Sequence, residues 1–411
     1  MEAEEHWISF ALDVARRSLT ILTPDGYVDD DDPALSVTAE KVVAESAILL
    51  LAAARAASRS AALRRRVDAL AKRLTAVART EAMRARICTE PSVALDHSCA
   101  HICISAAGYP DPRYDTLIRS VLEGAVPNGD RDRPPSQKLE NGWLRDLLYS
   151  HPPSRSANDG RNVEASALGR PLDTMTGTGE DAYALTHAVM FASDLGRKRI
   201  DLPRPVGEIG ADLDAALAVA LDRHDYDIAG ELLLCWPMLD IEWSPTAVFA
   251  YQLLGAVHER AGFVPTPIVD LVRYRQLDQR ARTRYLLATT YHTVFVMGLL
   301  GATVIAANKA PGPIPASSRL CEPTILLPLL SSAKPPQWWT EYADCAEHER
   351  RALTPLLLTV ALRRAIDSRN LSLVDELVRI AKALGVSSLP AVLQASDMLY
   401  RAAVLALTDW A

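Results

Sequence analysis

Apolar residues recur along this chain at three- and four-residue spacings, the period of a helix that buries one face. Trp7, Ile8, Ala11, Leu12 and Ala15 mark such a face within residues 5–21. Alanine-rich stretches predict long helices over 37–57, with Ser36 as cap, and over 60–86. The same pattern predicts helices over 95–108, 113–124, 139–149, 209–222, 226–236, 246–261, 267–275, 280–307, 340–366, 370–384 and 388–408. The clearest punctuation surrounds 180–196, EDAYALTHAVMFASDLG: Thr178 and Asp181 read as a capping box, and Gly196 as a left-handed stop before three basic residues. Tyr183, His187, Met190 and Asp194 are expected on one face of it.

No run alternates apolar and polar residues as a half-buried strand does, so the chain reads as all-α. Helices joined by short connectors predict antiparallel helical hairpins, stacked as an α/α barrel or a curved solenoid. No repeat of fixed period accompanies them. Residues 1–411 read as a single large domain. Within it, 151–179 is poor in large apolar residues, rich in Pro, Ser, Gly and Asn, and is expected to be a flexible loop.

The run from Tyr285 to Ala307 carries no formal charge and is long enough to span a bilayer. Thr289, Thr290, Tyr291, His292 and Thr293 put a polar belt inside it, which fits a buried central helix better than a lone membrane span. At 411 residues, 49% hydrophobic and 23% charged, the chain has the material for a large core. The net charge of −7 argues against a nucleic-acid partner, and the basic face of 60–86 (Arg64 to Arg86) reads as solvated or paired with neighbouring acids. Six scattered cysteines (Cys88, Cys99, Cys103, Cys235, Cys321, Cys345) suit reduced thiols, and MEAEEHW lacks a signal-peptide pattern, so a cytoplasmic location is expected.

His97 and His101, four residues apart, have the spacing of a two-histidine metal clip; Cys99 and Cys103 form a second such pair. Packed as core groups, the same residues would need no metal. His187 and His292 sit in apolar helices where an imidazole requires a ligand or a hydrogen-bond partner. In DYDIAGELLL, Asp227 reads as the helix cap, Glu231 as an acid turned inward, and Gly230 as a site of close helix approach. Asp29–Asp32 formally meets the aspartate motif of terpene cyclases that work by protonation, although four adjacent aspartates before Pro33 read more simply as a solvated loop.

LENGWL, DAYALTHAVMFASDLG, DYDIAGELLL and YHTVFVMGLL resemble the recurring blocks of a bacterial all-helical family of unknown function. In that family the second block resembles Thr-His followed by Thr-Asp-Phe-Gly, the third Asp-x-Asp-Leu-x-Gly-Glu-Leu, and the fourth Tyr-His-Thr. Ser193 and Leu195 depart from the second block and leave His187 and Asp194 intact. The resemblance covers roughly residues 37–310. It implies a place among actinobacterial natural-product genes and directs attention to Glu140, Thr186, His187, Asp194, Asp227, Glu231, Tyr291 and His292.

These readings converge on an enzyme of specialised metabolism acting on a small hydrophobic substrate inside a helical barrel. His187, His292, Glu231, Asp194 and Tyr291 are its candidate catalytic residues. His97, His101, His187, His292 and Glu231 are candidate ligands for a divalent metal (Fe, Mn or Zn), while a metal-free acid–base site fits the same residues. No nucleic acid or membrane is expected as a partner. The alternatives are a non-catalytic helical-repeat module that binds a protein or peptide, and a terpene-cyclase-like protein.

Overall fold

The computed structural model describes residues 2–22, 26–28, 35–124, 133–149, 157–315, 324–330 and 338–408. Asp29–Asp32 and Cys321 lie outside the described residues. Twenty α-helices form among them, in the order α1 (Glu2–Ile21), α2 (Ala39–Ala56), α3 (Ala61–Ala78), α4 (Glu81–Thr89), α5 (Ala94–Ala106), α6 (Pro112–Gly124) and α7 (Pro135–Tyr149). Next come α8 (Ala157–Ala165), α9 (Gly179–Ala192), α10 (Val206–Asp222), α11 (Tyr226–Leu239), α12 (Pro245–Ala261), α13 (Leu271–Gln276) and α14 (Gln279–Ala307). The C-terminal part holds α15 (Leu327–Leu330), α16 (Trp339–Asp344), α17 (Glu347–Ala352), α18 (Thr354–Asp367), α19 (Leu371–Ala383) and α20 (Pro390–Thr408). The described residues contain no strand, only an isolated antiparallel bridge between Tyr27 and Val37.

Three expected elements differ. The helix predicted over 60–86 is two, because Thr80 leaves the helix and caps α4 by accepting from Met83 N at 3.2 Å. The helix predicted over 340–366 is broken into α16, α17 and α18. Within 151–179, residues from 157 on form α8 and a 3-10 turn. There Val163, Leu168, Leu172 and Met175 are buried, and Arg363 of α18 donates to the carbonyls of Thr174 and Gly177. These few apolar anchors, spread among breakers, are too sparse to announce themselves as a periodic face.

Six helices pack in a cycle: α2 on α5, α5 on α7, α7 on α9, α9 on α11, α11 on α14, and α14 back on α2. Other helices pack against these, with α1 along α14, α3 on α2 and α5, α8 on α7 and α9, and α10 and α12 on α11. The α18–α20 group is carried on α10. One hydrophobic core runs through the molecule from Trp7 to Ala395. Alpha 14 is long and apolar enough to cross a membrane, and 78% of its most apolar stretch is buried inside the protein. Its small residues admit the neighbours: an added Cβ at Gly301 would stand 2.8 Å from the Glu4 backbone oxygen of α1.

Candidate metal centre

Helix α11 places the first two groups. His224 takes a left-handed conformation (φ 56°), which starts the helix at Asp225, and Asp225 accepts from Ile228 N at 3.2 Å as the cap. Asp227 is therefore not the cap that the sequence suggested. Lying two residues further on, it turns toward α9 and α14. Gly230 lets α11 approach α14, since an added Cβ there would lie 2.7 Å from Val296 Cγ1. His292 stands one turn before Val296, so this crossing brings Asp227 and Glu231 to its imidazole.

Asp227 is saturated with donors. Its two oxygens each lie 2.8 Å from His292 Nδ1, Tyr183 OH donates at 2.6 Å, and Thr293 Oγ1 donates at 2.9 Å. Burial alone would raise this carboxyl, but the His292 charge and the three donors hold it below its ordinary range. Burial also works against the His292 imidazolium; Asp227 foremost, then Glu45 and Glu231, raise it to about 10. Burial pushes the Tyr183 phenol upward, and the Asp227 and Glu231 charges add to that.

The other ring nitrogen of His292 faces two acids without bonding either. Nε2 is 3.7 Å from Glu231 Oε1 and 3.9 Å from Glu45 Oε1 on α2. On the far side of Glu231, His187 Nε2 of α9 lies 3.8 Å from Oε2. Two donors on one transition metal, each at about 2.0–2.2 Å, stand roughly 3–3.6 Å apart. The observed separations are thus too long for hydrogen bonds and slightly expanded for a shared cation.

Glu231 is only 6% exposed at its side chain and accepts from Thr186 Oγ1 at 2.7 Å. Burial lifts its carboxyl to about 8; Asp227 and Glu45 reinforce the rise, while His292 and Thr186 oppose it. Burial, then the His292 and Lys41 charges, depress the His187 imidazolium, leaving a neutral ring with an available lone pair. That ring keeps 40% of its side-chain surface exposed and is the solvent-facing member of the group. Among the described residues, Asp227, Glu231 and His292 form a group with ligand atoms close enough to hold a metal ion.

The remaining candidates fall elsewhere. Tyr291 is buried next to His292, but its hydroxyl points to Glu45 without closing a hydrogen bond of ordinary geometry. Asp194 does not share the face of Tyr183 and His187, because α9 stops at Ala192 and Asp194, Leu195 and Gly196 all have positive φ. Its carboxylate instead accepts from Trp143 Nε1 at 2.8 Å and from Arg55 at 2.9 Å. His101 is buried with both nitrogens engaged, Nδ1 by Arg79 Nε at 2.9 Å and Nε2 by Asp115 at 2.7 Å. His97 pairs with Glu90 at 3.1 Å. The two are four apart on α5, yet they serve different neighbours and do not join His187 and His292. Glu140 is not in the group either; burial and the nearby Asp96 lift its carboxyl to about 7.

Two members were missed from sequence. Glu45 is a lone acid in the apolar run VVAESAILLL, a signal of the same kind that drew attention to Glu231. Thr293 looked like part of a polar belt and proved to be a specific donor to Asp227.

Over residues 9–302 the chain matches the family described as a domain of unknown function, DUF6895, and it belongs to that family. No curated protein and no solved structure matches it.

Proposed function

We propose that this DUF6895 member is a metal-dependent enzyme whose centre is built from His292, Glu231, His187 and Glu45, with Asp227 orienting His292 from behind. The observation that carries the reading is the division of labour on the His292 ring. Asp227 occupies Nδ1, while Nε2 is aimed at two acids that stand at non-bonded distance. A carboxylate behind a ligating imidazole fixes its tautomer and raises its basicity. Once Glu231 ionises, three carboxylates face one imidazolium, and a divalent cation neutralises the surplus negative charge.

Two imidazoles and carboxylates suit Fe, Mn or Zn. When bound, such an ion supplies Lewis acidity and lowers the pKa of a coordinated water. Glu231 then acts as a ligand or as a proton carrier, and Thr186 holds its carboxylate in place. The rings of Tyr183 and Phe191 lie 5.8 Å and 5.7 Å from that of His187, an aromatic flank suited to a small hydrophobic substrate. The cycle of six packed helices favours a closed α/α barrel over an open solenoid, with the centre in its interior. A role in specialised metabolism belongs to the same proposal and rests on the sequence resemblance.

Metal analysis of the purified chain against a His187→Ala/His292→Ala double variant tests the reading. The expected result is close to one equivalent of transition metal in the parent and none in the variant. Equal content in both removes these histidines as ligands. A metal-free acid–base site is the second reading, favoured by a Glu231 carboxyl lifted to about 8 beside the His292 imidazolium. It gains if chelator-treated protein keeps full activity on a substrate found by screening.

A further inference from the structure

The four helices that build the metal centre meet again at their other ends. Ala52 and Arg55 of α2, Leu195 and Arg197 beyond α9, Pro237 of α11 and Ala302 of α14 line one cavity of about 240 Å³. Each of these positions lies C-terminal to that helix's contribution to the centre, so the four helices run in one direction from site to cavity. Glu45 and Arg55 are ten residues apart on α2, which separates the two places by about 15 Å.

The cavity has a definite chemistry. Its exposed apolar lining comes from Ala306 and Ala307 at the end of α14, with the buried Ala52, Leu195 and Ala302 beneath. Its ionised lining residues are Arg55 and Arg197, and no acid lines it. Asp194 takes two nitrogens of Arg55, through its carbonyl at 3.0 Å and its carboxylate at 2.9 Å, which holds that guanidinium at the wall. Arg197 is exposed at the rim and makes no ion pair among the described residues.

We propose that this cavity binds a small organic carboxylate, with its aliphatic body against Ala306 and Ala307 and its head on Arg197, backed by Arg55. Guanidinium and carboxylate match in planar, bidentate fashion, and the exposed Ala306 and Ala307 methyls favour a short hydrocarbon chain over a bare anion. The site is separate from the metal centre and does not depend on metal being bound.

Calorimetric titration of the full chain with sodium butyrate tests this, with sodium phosphate, sodium chloride and n-butanol as parallel probes. One butyrate site is expected, with binding weakened about tenfold or more by Arg197→Ala, a rim change that removes a charge-assisted contact. Ala306→Phe, at the exposed mouth, is expected to block it by filling the space. His292→Ala is expected to leave it unchanged. Circular dichroism confirms that each variant is folded. Absence of butyrate binding overturns the proposal, as does equal binding of phosphate or chloride. Binding lost in His292→Ala but kept in Arg197→Ala overturns it too, because the carboxylate would then sit on the metal centre.

Discussion

Both carboxylate oxygens of Asp227 stand 2.8 Å from Nδ1 of His292. This contact leaves Nε2 as the nitrogen that meets Glu231 and Glu45, at 3.7 Å and 3.9 Å.

Asp227→Asn keeps a hydrogen-bonding side chain of similar shape but removes the charge that holds the His292 proton on Nδ1. Metal affinity is expected to fall about 10- to 100-fold, the usual cost of losing a carboxylate behind a ligating histidine. Competition titration of Zn or Mn against a chelator reads this directly. Unchanged affinity would mean that Asp227 neither orients a ligand nor serves as one.

The centre also ties stability to pH. His292 holds its proton more tightly folded than unfolded, so its pairing with Asp227 supports the fold fully below about 6.5. That support is lost as pH rises toward about 10. Glu231, lifted from 4.5 to about 8, acts in the same direction: the folded chain keeps a proton that the unfolded chain releases. Asp227, held low, acts oppositely and loses its contribution as acid protonates it. His187, whose imidazolium is depressed to about 4 by burial and the His292 charge, gains stability with rising pH up to about 6.5 and offsets Glu231 there. The melting temperature of metal-free protein should therefore fall from about pH 6.5 to about pH 9, and Glu231→Gln should flatten the part of that fall below about pH 8. A flat or rising curve in the parent contradicts the assignment.

Added metal should reverse that trend. Ligation needs an ionised Glu231 and a free lone pair on His292 Nε2, so binding expels protons and strengthens with pH. The difference in melting temperature between metal-loaded and stripped protein is expected to widen as pH rises. A difference that narrows would place the ion somewhere else.

Gly230→Ala inserts a methyl group 2.7 Å from Val296 Cγ1. The expected cost is about 1–3 kcal/mol of overpacking, together with weaker metal binding because α11 must move off α14. Adding Val296→Ala makes room and should recover part of both. Chemical denaturation of the two variants distinguishes a packing defect from a general loss of helix.

Arg55→Ala leaves the buried Asp194 carboxylate with Trp143 as its remaining side-chain donor. Breaking a pair whose side chains are only 14% and 11% exposed should cost on the order of 3–5 kcal/mol. The double change Arg55→Ala/Asp194→Ala removes both charges, and urea melts should show it more stable than Arg55→Ala alone.

Much of this molecule was legible in its residues. Helical periodicity located nearly every long helix, and Asp181 accepts from Thr178 N at 2.9 Å, as the capping pattern required. Gly230 was read as a point of close approach, and Val296 is what approaches it. The errors arose where two local signals competed. Asp225 and Asp227 both suit a cap, and the left-handed His224 decides between them. The end of α9 was misplaced as well: Asp194 is left-handed and bonds Arg55 and Trp143, neither of which is near it in the chain.

Taken alone, the sequence determined that the chain is helical, that α14 is buried, and that certain histidines and acids lie on faces where burial demands a partner. Only the tertiary structure decided which of them meet. Nine histidines are available, and of the four proposed as ligands only His187 and His292 are brought to Glu231, while His97 and His101 are spent on Glu90, Asp115 and Arg79. The physical reason is that a helical repeat reports the face a side chain occupies and carries no information about the helix opposite. Residues 45, 187, 231 and 292 become neighbours only through the packing of α2, α9, α11 and α14.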